Sequence, residues 1–529
     1  MMNRGGMLLI AALVATADGW AQGVAQGPPP PPTAKTIKCK DRAVPQFEDI
    51  TEKAGIRFSH TSAPESRYII ESMSGGVLLL DYDRDGWPDI YVTCYGGNVL
   101  YHNNGDGTFT DVTAKAGVRD GRFSTGAAFG DYDGDGYLDL MVTNYVDLDI
   151  HHPPAFGSSV TCKYMGIDVQ CGPRGLKGAG DSLFHNNGNG TFTDVSKKAG
   201  VDDPNGYYGL TTVWADFNNT GRPDIYVAND STAGFLYRND GNGKFTDIGL
   251  ESGTALGEDG HEQAGMGVAL GDYLHTGRPS LVVTNFALDN SPLYRNDGKW
   301  DFQDVSYPSG IGLPSVPFVK WGVAFVDLDN DGWLDLVTVN GHVYPQVDTL
   351  QTGARYREPK LVQYNQGDGT FCDASEQSGP AISEPRVSRG LAVGDLFNDG
   401  NMDLVVEDLQ GSPMVLRNPG LPGRHWVSFE LAGTKSNRLA IGARLKLVAG
   451  GITQTDEIHS GGSYLSQSDL RVHFGLGSAT KIERLEIRWP SGAVETLKNL
   501  EADKFYSVLE SQGIVPAEKI RPMGPARRP

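Results

Sequence analysis

Nowhere in its 529 residues does the chain carry an apolar run of bilayer-spanning length, so no helical membrane span is expected. Positive charge is short as well: 45 Lys and Arg against 65 Asp and Glu give a formal charge of −20. Nucleic-acid binding needs a basic patch, and that class is excluded. Cysteine is scarce. The five present form neither the C-x-x-C pair of a redox or zinc site nor the C-x-x-C-H of haem attachment. Common catalytic signatures are missing too. There is no H-E-x-x-H, G-x-S-x-G or G-x-x-x-x-G-K, and His261–Glu262 opens the first without its second histidine.

Acidic cassettes of the form D-x-D-x-D-G-x-x-D are abundant instead. Three copies are complete: Asp81, Asp83, Asp85, Asp89; Asp131, Asp133, Asp135, Asp139; and Asp327, Asp329, Asp331, Asp335. The third in chain order is looser (Asp216, Asn218, Thr220, Asp224), and the sixth keeps Asp395, Asp399 and Asp403 with Phe397 at position three. The fourth, Asp272 to Ser280, has Leu274 and Ser280 in ligand places and reads as a turn only. Calcium takes six to eight oxygens at about 2.3–2.6 Å. Alternate aspartates on a curling chain converge on one point, the glycine at position six reaches positive φ, and the backbone carbonyl at position seven (Trp87, Tyr137, Trp333) adds an oxygen. Close carboxylates repel, and a divalent ion removes that cost. The predicted cofactor is therefore Ca2+. An EF-hand is excluded: position twelve is Val92, Val142 or Thr338 rather than Glu, and the flanks read as short strands, not helices.

Each cassette sits in a longer unit. A Gly-rich strand leads in (GAAFGDYD, GVAFVDLD), a Val/Ile/Leu strand leads out, and a hairpin such as LYHNNGDGTFTDVTAKAGV (Leu100 to Val118) follows. About four short strands per unit match a propeller blade, so the fold class is an all-β propeller. FEDITEKAGI (Phe47 to Ile56) repeats the last strand of the unit with no blade before it, and the sixth unit stops at MVLRNPG (Met414 to Gly420) without that strand. The first segment can complete the last blade and remove the exposed edges. This count gives six blades. The long step from Asp131 to Asp216 holds an insertion, 147–180, in which Cys162 and Cys171 are predicted to bridge; Cys39, Cys94 and Cys372 leave one odd thiol whose identity stays open.

The repeats resemble FG-GAP/VCBS-type propeller repeats, and IGARLKLVAGG (Ile441 to Gly451), GGSYLSQSDLRVHFGLG (Gly461 to Gly477) and IERLEIRWPSG (Ile482 to Gly492) resemble the ASPIC/UnbV domain. With NGHVYP (Asn340 to Pro345), the pairing resembles bacterial members of the cartilage acidic protein 1 family. The resemblance implies a propeller followed by a small β-sandwich-like domain in a secreted, acidic, calcium-binding protein, and it brings no catalytic mechanism. Such propellers are often seven-bladed, so the expectation is six or seven. The domain boundaries expected are a signal peptide over 1–25 (Arg4 before MLLIAALVA), a Pro-rich linker over 26–43, the propeller over 44–420, the ASPIC/UnbV domain over 421–510 and a disordered tail over 511–529.

Export to the periplasm, cell surface or medium follows from the leader. The expected role is a protein- or glycan-binding or adhesion module with structural calcium. The alternative is a carbohydrate-active enzyme with its site at the channel mouth, and a third reading is a passive structural part of a larger assembly. For chemistry beyond structure the residues singled out are His342, then Arg67, Tyr68 and Glu71 as channel lining, and the polar run Ser463, Tyr464, Ser466, Gln467 and Asp469 as a recognition loop or a plain turn.

Overall fold

The computed structural model describes residues 34–520 apart from 41, 57–58, 61, 63–67, 74–76, 81, 84, 86–88, 106–107 and 352. The signal peptide, Asp81, Trp87 and Arg67 lie outside these described residues. Six four-stranded antiparallel sheets follow one another along the chain, opening with the strands Val77–Leu80, Ser124–Gly130, Gly209–Ala215, Val268–Gly271, Lys320–Val326 and Ser388–Gly394. We number these blades one to six. The expected propeller is therefore present, with six blades among the described residues.

Blade faces stack on their neighbours, so the inner strands are covered on both sides and read as continuous buried runs rather than alternations. Ser124–Gly130 and Asp139–Asn144 are buried throughout. The lead-in glycines have a packing reason. A Cβ at Gly126 would meet the backbone of Leu210 and Thr211, and one at Gly322 would meet Leu391, where strands converge on the ring centre. Blades one, two and four end in a strand and a one-turn helix built by Asp-x-Thr/Ser. Asp111 Oδ1 accepts the Thr113 amide at 3.0 Å, and Thr113 Oγ1 accepts the Leu100 amide at 2.9 Å. The same pair recurs at Asp194 and Ser196.

Ring closure uses this device. Glu48–Asp49 pairs with Met414–Arg417 as the outer strand of blade six. Asp49 then holds the Thr51 amide at 2.9 Å and Thr51 Oγ1 accepts the Val415 amide at 2.9 Å. The N-terminal segment thus makes the contacts of the strand that blade six lacks.

Residues 421–515 form a sandwich of two four-stranded sheets, with strands His425–Ala432 and Lys504–Leu509 parallel in one and Arg444–Ala449 central in the other. Its core includes Phe429, Leu445, Leu447, Leu485, Ile487 and Trp489, all buried. Two boundaries need correction. The segment 511–520 is ordered: Gly513–Val515 adds a strand to Lys504–Leu509, and Ile520 is buried. The segment 34–43 is not a free linker, because Ile37 and Cys39 pack on the blade-five and blade-six core and Cys39 is bonded to Cys372. These apolar contacts and the bridge hold the segment as an N-terminal strap on the propeller. Cys162 is bonded to Cys171, and Cys94 carries the free thiol.

The sandwich and the insertion close the ring centre from opposite ends. From the sandwich, Gly461 and Ser463 pair with the inner-strand residues Val213 and Val268, and Tyr464 is fully buried with its ring 4.7 Å from Trp321. The polar run read as a recognition loop or turn is thus a plug. From the other end the insertion lays Tyr164 on Phe286, His342 and Tyr344. Among the described residues no helix is long and apolar enough to cross a membrane.

Glu510, buried in the sandwich, accepts the amides of Thr434 and Lys435 at 2.7 Å and of Ser436 at 2.9 Å. Burial opposes its charge, but the Ser491 hydroxyl and these amides outweigh that and hold the carboxyl down to about 2. A depressed folded pKa stabilises above the unfolded value and is lost as pH falls through the folded one. Glu510→Gln should cost about 2 kcal/mol at pH 7. In urea melts between pH 7 and pH 2 the gap from wild type should narrow below about pH 4.3 and close only as the pH nears 2.

Candidate cation loops

Acidic loops two to six share a backbone path. Glycine at position six is left-handed (Gly136 φ 88°, Gly332 φ 92°), as the cassette required, and so is position four, occupied by Gly134, Asn219, His275, Asn330 and Asn398. The conformational demand at position four lay in the sequence as a run of Gly and Asn, the residues that enter this region most readily.

Positions one and nine of the described loops hold the fold. Position one folds the loop on itself: Asp131 accepts the amides of Gly134, Asp135 and Gly136 at 2.8–3.1 Å, and Asp327 accepts those of Asp331 and Gly332 at 3.1 and 2.7 Å. Position nine joins the loop to the third strand. Asp139 accepts the Tyr132 amide at 3.2 Å and the Asn186 amide at 2.9 Å, and Asp89, Asp224, Asp335 and Asp403 repeat both bonds. This accounts for Asp272 in the loop read as a turn only: it still accepts the Thr276 and Gly277 amides, while Ser280 Oγ takes over the bond to Asn296. Positions three and five therefore carry the cation signal.

Three loops gather ligand atoms within 4.8 Å of one another. They are Asp131, Asp133 and Asp135, with Asp133, Asp139 and His185 beside them; Asp83, Asp85 and His102; and Asp327, Asp329 and Asp335. The histidines were not singled out from sequence. They stand just before the hairpin asparagine (LYHNN, LFHNN), where blades three, four, five and six carry Arg238, Arg295, Tyr364 and Arg417. His102 lies 3.3 Å from Asp83 and His185 lies 3.0 Å from Asp139. Burial, the first cause, pushes the Asp131 carboxyl up to about 6 and the Asp139 carboxyl up to about 7. Asp327 and Asp335 are held above the usual carboxylate range by burial and by repulsion from their neighbours. Asp329 is buried, and its Oδ1 has no hydrogen-bond partner among the described residues. This donor set fits a hard cation that would supply the missing positive charge.

The looser loops differ. In loop three Asp216 bonds to Thr220 and Gly221, and only Asp216 and Asp224 are carboxylates. Loop six does not close on a common point. Arg417 stacks over Phe397 at 4.6 Å and pairs with Asp399 at 3.0 Å, so a guanidinium already offsets the position-five carboxylate there. Of the position-seven residues, Tyr137 and Trp333 lay their rings by the hairpin glycines Gly188 and Gly367, and Trp333 also stacks on His275 at 4.0 Å. In loop five Arg42, from the strap, bonds to Asp329 and, at 2.9 Å, to Asp331. Its partners were invisible in sequence, being 287 and 289 residues away.

His342 is fully buried. Its Nδ1 accepts the Tyr344 amide at 3.1 Å, and burial with the nearby Arg389 holds the imidazole down to about 3. It is a neutral packing residue. Tyr68 precedes and Glu71 lies within a short turn, Ile69–Ser72, and Ile69 with the following Met73 packs into the centre.

Comparison with known proteins agrees with the reading of repeats and domain. An FG-GAP-like repeat model matches residues 81–142, 175–227 and 216–283, and an ASPIC and UnbV model matches 433–515. The chain is 29% identical over 332 residues to cartilage acidic protein 1 of Xenopus tropicalis, covering 60% of this chain and 47% of that one. It is 28% identical over 326 residues to the Homo sapiens protein, covering 60% and 46%. The match thus spans about half the length of these curated relatives. Among solved structures, an Agrocybe aegerita lectin described as recognising non-reducing terminal N-acetylglucosamine aligns with a TM-score of 0.38 at 19% identity, over 66% of this chain and 78% of that one. A Trypanosoma rangeli sialidase aligns at 0.33 and 9%, over 73% and 60%. Likenesses this distant carry no functional argument.

The division of labour within a loop is testable. Asp139→Ala should lower stability by about 1–3 kcal/mol even in EDTA, because two buried amides lose their acceptor. Asp133→Ala should leave the EDTA melt near wild type and reduce only the calcium-dependent gain. Arg42→Met should lower the melting temperature more in EDTA than in saturating calcium, since Asp329 and Asp331 then lose the guanidinium bonded to them.

Proposed function

We propose that this FG-GAP-like repeat protein with a C-terminal ASPIC and UnbV domain is an exported calcium-binding module that recognises a protein or glycan. Calcium would rigidify the blade loops. The observation that carries the calcium part is the gathering of position-three carboxylates in loops one, two and five, together with the buried, unpartnered Asp329 Oδ1. The recognition part rests on shape. The sandwich covers the loop face over blades three to six, through Arg444 at Asn219 and Gly277, His473 at Asn330 and Arg471 at Asn398. Loops one and two keep Asp85, Asp133 and Asp135 exposed. That arc can meet a partner, and exposed acidic loops bearing a cation suit carboxylate or hydroxyl ligands. The channel mouth, where the enzyme alternative would put its site, is packed with Tyr145, Met266, Trp321 and Tyr464, which favours the binding reading.

Calcium should raise the melting temperature and EDTA lower it. A site at a hundredfold excess over its Kd gains about 2.7 kcal/mol. Superimposable melts, with no calcium retained after gel filtration, would remove the calcium part. Binding to a glycan array that is lost in EDTA and in Asp133→Ala would support the recognition part.

A further inference from the structure

Loop five differs from loops one and two in being enclosed. Asp327 is 5% exposed, Asp329 1% and Asp335 0%. On one side the strand Val472–Gly477 of the sandwich lies directly on it. Gly477 donates its amide to the Asn330 carbonyl at 2.8 Å, and His473 Nε2 meets Asn330 Oδ1 at 2.7 Å. Gly475 has no room for a side chain, because a Cβ would overlap Asp327 Oδ2 and the Asn330 backbone. On the other side stands the N-terminal strap, anchored by Cys39–Cys372. Its Arg42 binds Asp329 Oδ2 and Asp331, and reaches the Asn365 carbonyl at 2.8 Å.

Charge does not balance there. Four carboxylates face the Arg42 guanidinium, with Arg424 also acting on Asp331, while Asp329 Oδ1 is buried with no hydrogen-bond partner among the described residues. Like charges enclosed in a poorly solvated seam repel strongly, so they must either take up protons or share another cation, and a divalent ion also bridges the buried oxygens that a proton would leave unpaired. We propose that loop five holds one divalent cation, and that this ion clamps the C-terminal sandwich and the N-terminal strap onto the propeller. The inference rests on the calcium reading above and adds a consequence to it. Occupancy of loop five sets interdomain docking, whereas occupancy of the exposed loops one and two does not.

Hydrogen–deuterium exchange on the full chain, in calcium and in EGTA, tests this alongside bound calcium counted by plasma mass spectrometry. Chelation should raise amide exchange over 472–477 and 39–42 by about tenfold or more. Asp329→Asn should reproduce that rise in calcium with about one ion fewer bound, and Asp133→Asn should lose an ion without it. Gly475→Ala keeps every carboxylate and should also loosen 472–477. Calcium bound in wild type, with exchange over 472–477 unchanged by chelation, would overturn the clamp and leave the calcium reading standing. No bound calcium would overturn both.

Discussion

The ring depends on one hydrogen-bonded unit, an aspartate and an asparagine shared between strands and blades. The position-nine carboxylate fixes the asparagine backbone of its own blade. The asparagine side chain then reaches the carbonyl of position two in the preceding loop: Asn186 to Tyr82, Asn239 to Tyr132, Asn296 to Phe217, Asn365 to Tyr273 and Asn418 to Leu328, all at 2.8–3.0 Å. Each buried carboxylate is desolvated, and two backbone amides offset the cost. The loop is therefore part of the blade-to-blade seam before it is anything else, and five successive seams repeat the same bond.

With positions one and nine committed to that seam, the remaining acidity could vary from blade to blade. Blades one and two keep it and add a histidine. Blade six admits Arg417, and blade four abandons it for Leu274 and a stacked His275. Blade five keeps all four carboxylates but recruits Arg42. The sandwich follows the same division, setting Arg444 against the two loops poorest in carboxylates. Positive charge from elsewhere in the chain thus arrives wherever a loop is depleted or enclosed.

Most of the fold was legible in the residues because a repeat states its unit several times. The blade length, the Asp–Gly turn and the orphan FEDIT segment placed the strands and the closure. The ligand set was legible only in part, since one D-x-D-x-D pattern serves two purposes, and Asp272 keeps the structural one after the other has gone. What stayed hidden depends on distance. Arg42, Tyr464 and Gly475 act on partners more than a hundred residues away, and no local propensity or period marks such a contact. The ordered segment 511–520 was missed for a related reason: Glu510 and Ile520 gain their value only from loops that the sandwich brings near.

The closure of blade six bears on the order in which the chain can be completed. The strand at Glu48–Asp49 emerges early in synthesis, but its partner Met414–Arg417 follows more than three hundred and sixty residues later, and Tyr464 seals the centre later still. Contacts so remote in sequence must pay loop-closure entropy before packing rewards them. Until then the nascent blades present open edges and an unfilled hub. The ring is therefore completed late, and its first strand waits for most of the chain before it finds its place.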